Sequence, residues 1–135
     1  MVIFEFIHIA GIIIGLGAVT VIDTMGFISR KSKEWTQVTI KAHHVTKPLI
    51  WLGTLLMLFS WLFLYAGGYW EIVKSVIIGI LILNGLFLSF YISPRLDRLY
   101  GNRTLIPSRL QLLITGSFLV SFTGWWILVY LTVAL

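Results

Sequence analysis

The sequence predicts an all-α protein: a single domain over residues 1–135, built as an antiparallel up-down bundle of four membrane-crossing helices. Two observations carry this. Hydrophobic residues make up 59% of the chain and charged residues only 11%, with a mean hydropathy of +0.98. Soluble domains average roughly 25% charged residues, so this chain lacks the polar groups to cover a water-facing surface. The charges are also clustered, leaving four long uncharged stretches without the strict alternation of a membrane β-barrel. A soluble enzyme, a disordered tail and a nucleic-acid-binding domain are disfavoured together. The absence of cysteine excludes disulfides, thiolate metal sites and cysteine nucleophiles.

The first span, about 2–29, contains 17 uncharged residues between Glu5 and Asp23. It lacks the basic start and small-residue cleavage site of a signal peptide and is expected to persist. The second, about 45–66, follows from 23 uncharged residues between Lys47 and Glu71. The segment before it, Ser29–Lys47, mixes Trp35, Val38 and Ile40 with lysines. It is read either as an interfacial helix or as an extension of the second helix up to a bend at Pro48. The third span, about 71–93, rests on 20 uncharged residues between Lys74 and Arg95. The short AGGYW turn before it predicts a tight hairpin of helices two and three. Turn signals at Pro94, Gly101-Asn102 and Pro107 precede the fourth span, about 108–133, since nothing after Arg109 is charged.

Nine of the ten basic residues (Arg30, Lys31, Lys33, Lys41, Lys47, Arg95, Arg98, Arg103 and Arg109) fall in the first and third loops or at helix ends facing them; Lys74 stands alone opposite. The positive-inside rule puts both loops in the cytoplasm and both termini outside, across a cell (inner) membrane. The net charge of +5 thus reads as a topology signal supplemented by contact with anionic lipid. Tyr65, Tyr69, Trp70 and Tyr130 fit an outer aromatic belt. The expected partners are the lipid bilayer and a second copy of the chain, a homodimer being favoured, with no nucleic acid.

Ionisable groups inside a span are costly and therefore candidate functional residues. At about 100° per residue, Glu5, Gly11, Gly15, Asp23 and Gly26 all lie within about 60° of His8 on the first helix. Gly11 and Gly15 form a GxxxG pair that admits a close neighbouring helix. A neutral His8 can ligate haem iron or copper, relay a proton, or hydrogen-bond another helix. Glu5, three residues earlier, is placed to receive its Nδ1–H. In a dimer whose axis follows the membrane normal, two His8 side chains at equal depth can share one metal or haem. Asp23 is expected to pair with Arg95, Arg98 or Lys47, or else to serve as a proton or cation site. Lys74 either snorkels outward or meets Glu5 and His8. Asn84 lies near mid-membrane, and Ser117, Ser121 and Gly124 read as a small-residue packing seam. Of His43 and His44, which point about 100° apart, at most one faces inward. Both lie at the opposite membrane face from His8, which excludes a bis-histidine haem within one chain.

The runs FIHIAGIIIGLGAVTVID, HHVTKPLIWLGTLLMLFSWLFL and EIVKSVIIGILILNGLFLSFYISPRL resemble the first three helices of small bacterial four-helix membrane proteins of the CopD-like and HemJ-like type. HemJ-like proteins are protoporphyrinogen oxidases that bind haem b, and CopD-like domains are linked to copper uptake. The resemblance implies haem b or copper as a cofactor, with His8 as cofactor and metal ligand or catalytic residue and Lys74 on a matching position; Glu5 joins them as a catalytic candidate through its spacing from His8 alone. No second helical His and no Met- or His-rich copper path accompanies it. Gly15, Gly17, Thr20 and Asp23 also resemble a G-x-G-x-x-T-x-x-D pattern in similar four-helix proteins, which implies no activity. Three functions follow: a haem- or metal-associated redox protein using His8, a proton-coupled or metal-ion transporter using His8 and Asp23, and a non-catalytic membrane subunit or scaffold.

Overall fold

The structure, a computed structural model, describes residues 2–102 and 104–134. Arg103, one of the nine clustered basic residues, lies outside the described residues. The elements are α1 (Val2–Ser29), α2 (Lys33–Leu64), α3 (Tyr69–Phe87), a π-helical turn (Leu88–Ile92), α4 (Ser93–Asp97) and α5 (Ser108–Ala134). Because α3, the π turn and α4 run on as one rod over Tyr69–Asp97, the chain has four helical rods, each long and apolar enough to cross a membrane. That is the make-up of a multi-pass integral membrane protein, and no strand occurs among the described residues.

The second helix is longer than its apolar run. Its 32 residues extend roughly 48 Å, against a hydrocarbon core of roughly 30 Å. Of the two readings of the preceding segment, interfacial helix or extension of the second helix, the extension is the one observed: most of it is the first part of α2. Ser32 caps it by accepting from the Trp35 main-chain N–H at 3.2 Å, and Glu34 sits in the first turn, where the helix dipole favours an acid. The helix passes through Pro48, losing one main-chain bond. Residues Thr36, Thr39, Ile40, His43 and Thr46 recur every three or four positions and are buried. Their hydroxyls bind the end of α1: Thr36 donates to the Ser29 carbonyl at 3.0 Å and Thr39 to the Met25 carbonyl at 3.1 Å.

The expected tight packing of α2 on α3 does not occur. The turn between them is short, with Gly67 at φ +82°, but turn length fixes only where the helices begin. Two tryptophans set the gap: Trp51 Nε1 donates to Ser89 Oγ and Trp61 Nε1 to Ser75 Oγ, both at 2.9 Å. The width of an indole therefore separates the two helices. The closest packing is between α1 and α2, followed by α3 on α5 and α1 on α5. At the α1–α2 crossing a Cβ on Gly11 would lie 2.7 Å from both the Gly53 carbonyl oxygen and the Met57 nitrogen. Gly15 receives the Trp125 ring, which is 1% exposed. Ile12, Val19, Met57, Ile78, Leu81 and Leu128 complete this central core.

Asn84 and Ser117 hold α3 to α5 through a reciprocal pair: Asn84 Nδ2 donates to the Ser117 carbonyl at 2.9 Å and Ser117 Oγ to Asn84 Oδ1 at 2.7 Å. Ser121 is buried on the same helix, and Gly124 one turn on receives Leu81. Replacing Asn84 with leucine should destabilise the protein by about 1–2 kcal/mol, since intramembrane hydrogen bonds contribute that much at most. Ser117→Ala should cost less, because its carbonyl still accepts. Unfolding by SDS titration in mixed micelles checks both.

The π turn has a local cause. Pro94 has no N–H for the residue-90 carbonyl and its ring crowds that group, so the ladder shifts register and Ser93 N–H reaches the Leu88 carbonyl. The shift leaves Ser89 and Ser93 both bonded to side chains of α2. A second apolar cluster of Ile40, Ile92, Leu96, Ile106, Leu110 and Ile114 closes this end. Arg30, Lys31, Lys33, Lys41, Arg95, Arg98 and Arg109 gather around it, and Lys74 lies at the other end, beside the α2–α3 turn.

Candidate functional site

His8 projects from α1 into α2 and is 2% exposed. Its Nδ1 lies 3.3 Å from the Met57 carbonyl oxygen and 3.1 Å from Ser60 Oγ. A carbonyl only accepts, and the single Ser60 hydroxyl proton is shared between the carbonyls of Leu56 and Met57, each at 2.9 Å. The Nδ1 position therefore carries the proton, and Nε2 is left with a bare lone pair. Nε2 is buried without a hydrogen-bond partner. This corrects the expectation that Glu5 receives the Nδ1–H. Glu5 is exposed, and the residues that fix the ring are the Met57 carbonyl and Ser60, one α-helical turn apart on α2.

His8 borders a cavity of about 650 Å³ that opens between the start of α1, the α2–α3 turn and the end of α5. Glu5, Lys74, Glu71, Trp61, Trp70 and Thr132 share it. Glu71 caps the turn, its Oε2 accepting from the Ala66 N–H at 2.9 Å. Lys74 does not snorkel out. It is 7% exposed, donates to Thr132 Oγ1 at 2.7 Å and holds its ammonium 4.7 Å from the centre of the Trp61 ring. An indole face and one hydroxyl are modest compensation for a buried ammonium, which retains two further N–H donors. The cavity thus brings His8, whose Nε2 is unpartnered, beside a cation that has donors to spare, between aromatic walls.

His8, Glu5 and Lys74 come together; Asp23 and Asn84 do not join them. Asp23 lies near the opposite end of α1 and makes none of the ion pairs expected of it. Arg95 folds back to donate to the Tyr91 carbonyl at 2.8 Å and stacks on the Tyr91 ring, Lys47 reaches Ser93 Oγ at 3.4 Å, and Arg98 lines a separate cleft. Asp23 Oδ1 is instead buried and unpartnered. Between Asp23 and His8, the Gly11–Gly53 crossing, Met57 and Trp125 fill the bundle.

Of the histidine pair, His43 is the buried member: its Nε2 is 2.7 Å from Ser93 Oγ. His44 faces outward and meets Asp97 at 3.1 Å. His8 contacts residues 57 and 60 of α2, 14 to 17 residues beyond His43, which is roughly 20–25 Å along the helix. The His8 ring points into its own chain, against α2. Among the described residues no group of three His, Cys, Asp or Glu side chains is placed to hold a metal ion.

Ser60, Met57, Trp61 and Thr132 escaped the sequence reading. Each is an ordinary residue of an apolar span, and only the helix pairing reveals that it meets His8 or Lys74. No family model matches the chain, and no match is found among curated proteins or solved structures.

Proposed function

We propose that the protein is a haem-associated redox protein of the membrane, with His8 as the axial ligand. The observation that carries this reading is the bare, buried Nε2 of a ring whose Nδ1–H is tied to a main-chain carbonyl. This is the arrangement that orients a ligating histidine and raises its basicity. The rest of the cavity suits haem b: Trp61 and Trp70 offer apolar walls for a macrocycle, and Lys74 offers N–H donors for a propionate carboxylate. Copper fits less well. Beside the one imidazole stand only carboxylate donors, and the Lys74 ammonium repels a metal cation. When bound, haem would supply one-electron chemistry. The chain's own part is to hold the imidazole in one tautomer, to keep the lone pair out of water and to present a cation at the cavity wall.

Resemblance to HemJ-like proteins supports the same assignment, since His8 and Lys74 stand at the matching positions. The transport alternative is less favoured because close-packed residues separate the His8 and Asp23 cavities. A pure scaffold gives no reason to leave a buried imidazole nitrogen unpaired. With the basic end in the cytoplasm, the haem cavity opens to the outer face of the membrane.

Protein purified from haem-supplemented cells should show a Soret band. The band should disappear in His8→Ala and persist in Asp23→Asn, which changes the far end of the same helix. A band that survives in His8→Ala rules out this ligand, and a wild-type protein without a band under haem supplementation rules out the haem reading.

A further inference from the structure

The second cavity, at the basic end, has a volume of about 520 Å³ and lies between α1, the start of α2 and α5. Its walls are mostly apolar, with Phe27, Phe118, Phe122, Ile40, Ile114 and Leu119 prominent among them. Asp23 stands in this lining with a buried Oδ1 that accepts no hydrogen bond. Most donors of the lining are already engaged, and Thr115 is exposed. Thr20 donates to the Leu16 carbonyl, Thr24 to Thr20, Thr39 to Met25 and Gln111 to Ile106. The charged and titratable neighbours are Arg30 and His43. Arg30 lies flat on Phe27 with its Nε directed to that residue's carbonyl, and His43 is bonded to Ser93.

A buried carboxylate oxygen without a donor is costly, and Thr20, Thr24, Thr39 and Gln111 spend their protons on main-chain carbonyls. A ligand from outside the chain can supply the missing donor. Water alone leaves the apolar walls unexplained, and an inorganic cation would find a single carboxylate among phenyl rings. A primary ammonium on a compact apolar body meets both demands. It gives Asp23 a charge-assisted hydrogen bond, sets its charge among phenyl faces and fills the cavity with its hydrocarbon part. We propose that this cavity is a binding site for amphiphilic primary amines, with Asp23 as the recognition residue. The site uses none of the residues of the haem cavity, so either assignment stands without the other.

The test is a titration of the purified protein in detergent micelles with 1-adamantylamine, followed by saturation-transfer NMR, with 1-adamantanol as the uncharged isostere. Saturable binding of the amine is expected, with the alcohol about tenfold weaker or more, the equivalent of one charge-assisted hydrogen bond. Asp23→Asn should weaken amine binding by a similar factor. Ile114→Trp, which fills the cavity and leaves the carboxylate in place, should also abolish it. The amine of phosphatidylethanolamine shares this chemistry. In nanodiscs, competition by phosphatidylethanolamine but not phosphatidylcholine assigns the ligand to the lipid, and equal binding in both assigns it to a free amine. No saturable amine binding, equal affinity for the alcohol, or binding unchanged in Asp23→Asn overturns the proposal. The amine–alcohol comparison needs only the wild-type protein, so it decides even if a variant fails to fold.

Discussion

Gly53→Ala is expected to destabilise the protein by about 2–3 kcal/mol, the range for overpacking a close-packed interior. A Cβ at this position would stand 2.5 Å from the Gly15 nitrogen and 2.6 Å from the Gly11 carbonyl oxygen. Both obstacles are main chain, so no side-chain rotation relieves them, and α2 as a whole must back away from α1. That movement would loosen the contact holding His8 against Met57 and Ser60. Helix propensity works in the opposite direction, since alanine is favoured over glycine by about 0.5–1 kcal/mol in a helix interior. Gly79→Ala isolates this opposing effect, because a Cβ at Gly79 meets nothing within 4 Å. The two variants should therefore differ in sign: Gly53→Ala less stable than the parent, Gly79→Ala equal or slightly more stable. Reversible unfolding in SDS–detergent mixtures measures both, and equal stabilities would show that the crossing is not close-packed at Gly53.

The second large effect concerns Lys74. Lys74→Met removes a buried ammonium that has one hydroxyl partner and one indole face. An apolar side chain of similar length should stabilise the unliganded protein by about 1–2 kcal/mol, as apolar replacement of buried charge often does. The same change should weaken haem binding by about tenfold, the equivalent of one charge-assisted hydrogen bond to a propionate. Opposite movement of stability and affinity would mark Lys74 as a residue kept for its ligand. If haem affinity is unchanged, Lys74 plays no part in holding the group; if stability falls, the ammonium contributes to the fold.

The four rods were legible because charge is too expensive to sit inside lipid, so the gaps between charged residues trace them. Spacing was less decisive where residues face protein instead of lipid. Ile40, Thr36 and Thr39 lie in a lysine-rich stretch that reads equally as an interfacial helix or as an extension of the second helix; the extension is observed, and they form its buried stripe against the end of α1. The short turn at Gly67 suggested tight packing of α2 on α3, but Trp51 and Trp61 hold those helices apart.

For the site, the sequence marked His8, Lys74 and Asp23 through the cost of burying them. It could not assign their partners, because helical spacing orders residues around one helix and says nothing about which helix lies opposite. Glu5 was the nearest acceptor along the chain, whereas the ring meets Ser60 and the Met57 carbonyl, 52 and 49 residues away. Asp23 has the reverse history: three cations were expected at its depth, but Arg95 folds back on Tyr91, Lys47 reaches Ser93 and Arg98 lines a separate cleft.

The central claim is that His8 is held as the Nδ1–H tautomer with a buried Nε2 that has no partner among the chain's described residues. The most direct measurement is the ¹⁵N NMR spectrum of protein labelled at histidine, with the His8 signals assigned by their loss in His8→Gln. The account predicts a protonated Nδ1 and an unprotonated Nε2 without haem, and displacement of the Nε2 signal when haemin is added. A ring protonated at Nε2, or an Nε2 signal unmoved while a Soret band forms, would contradict it.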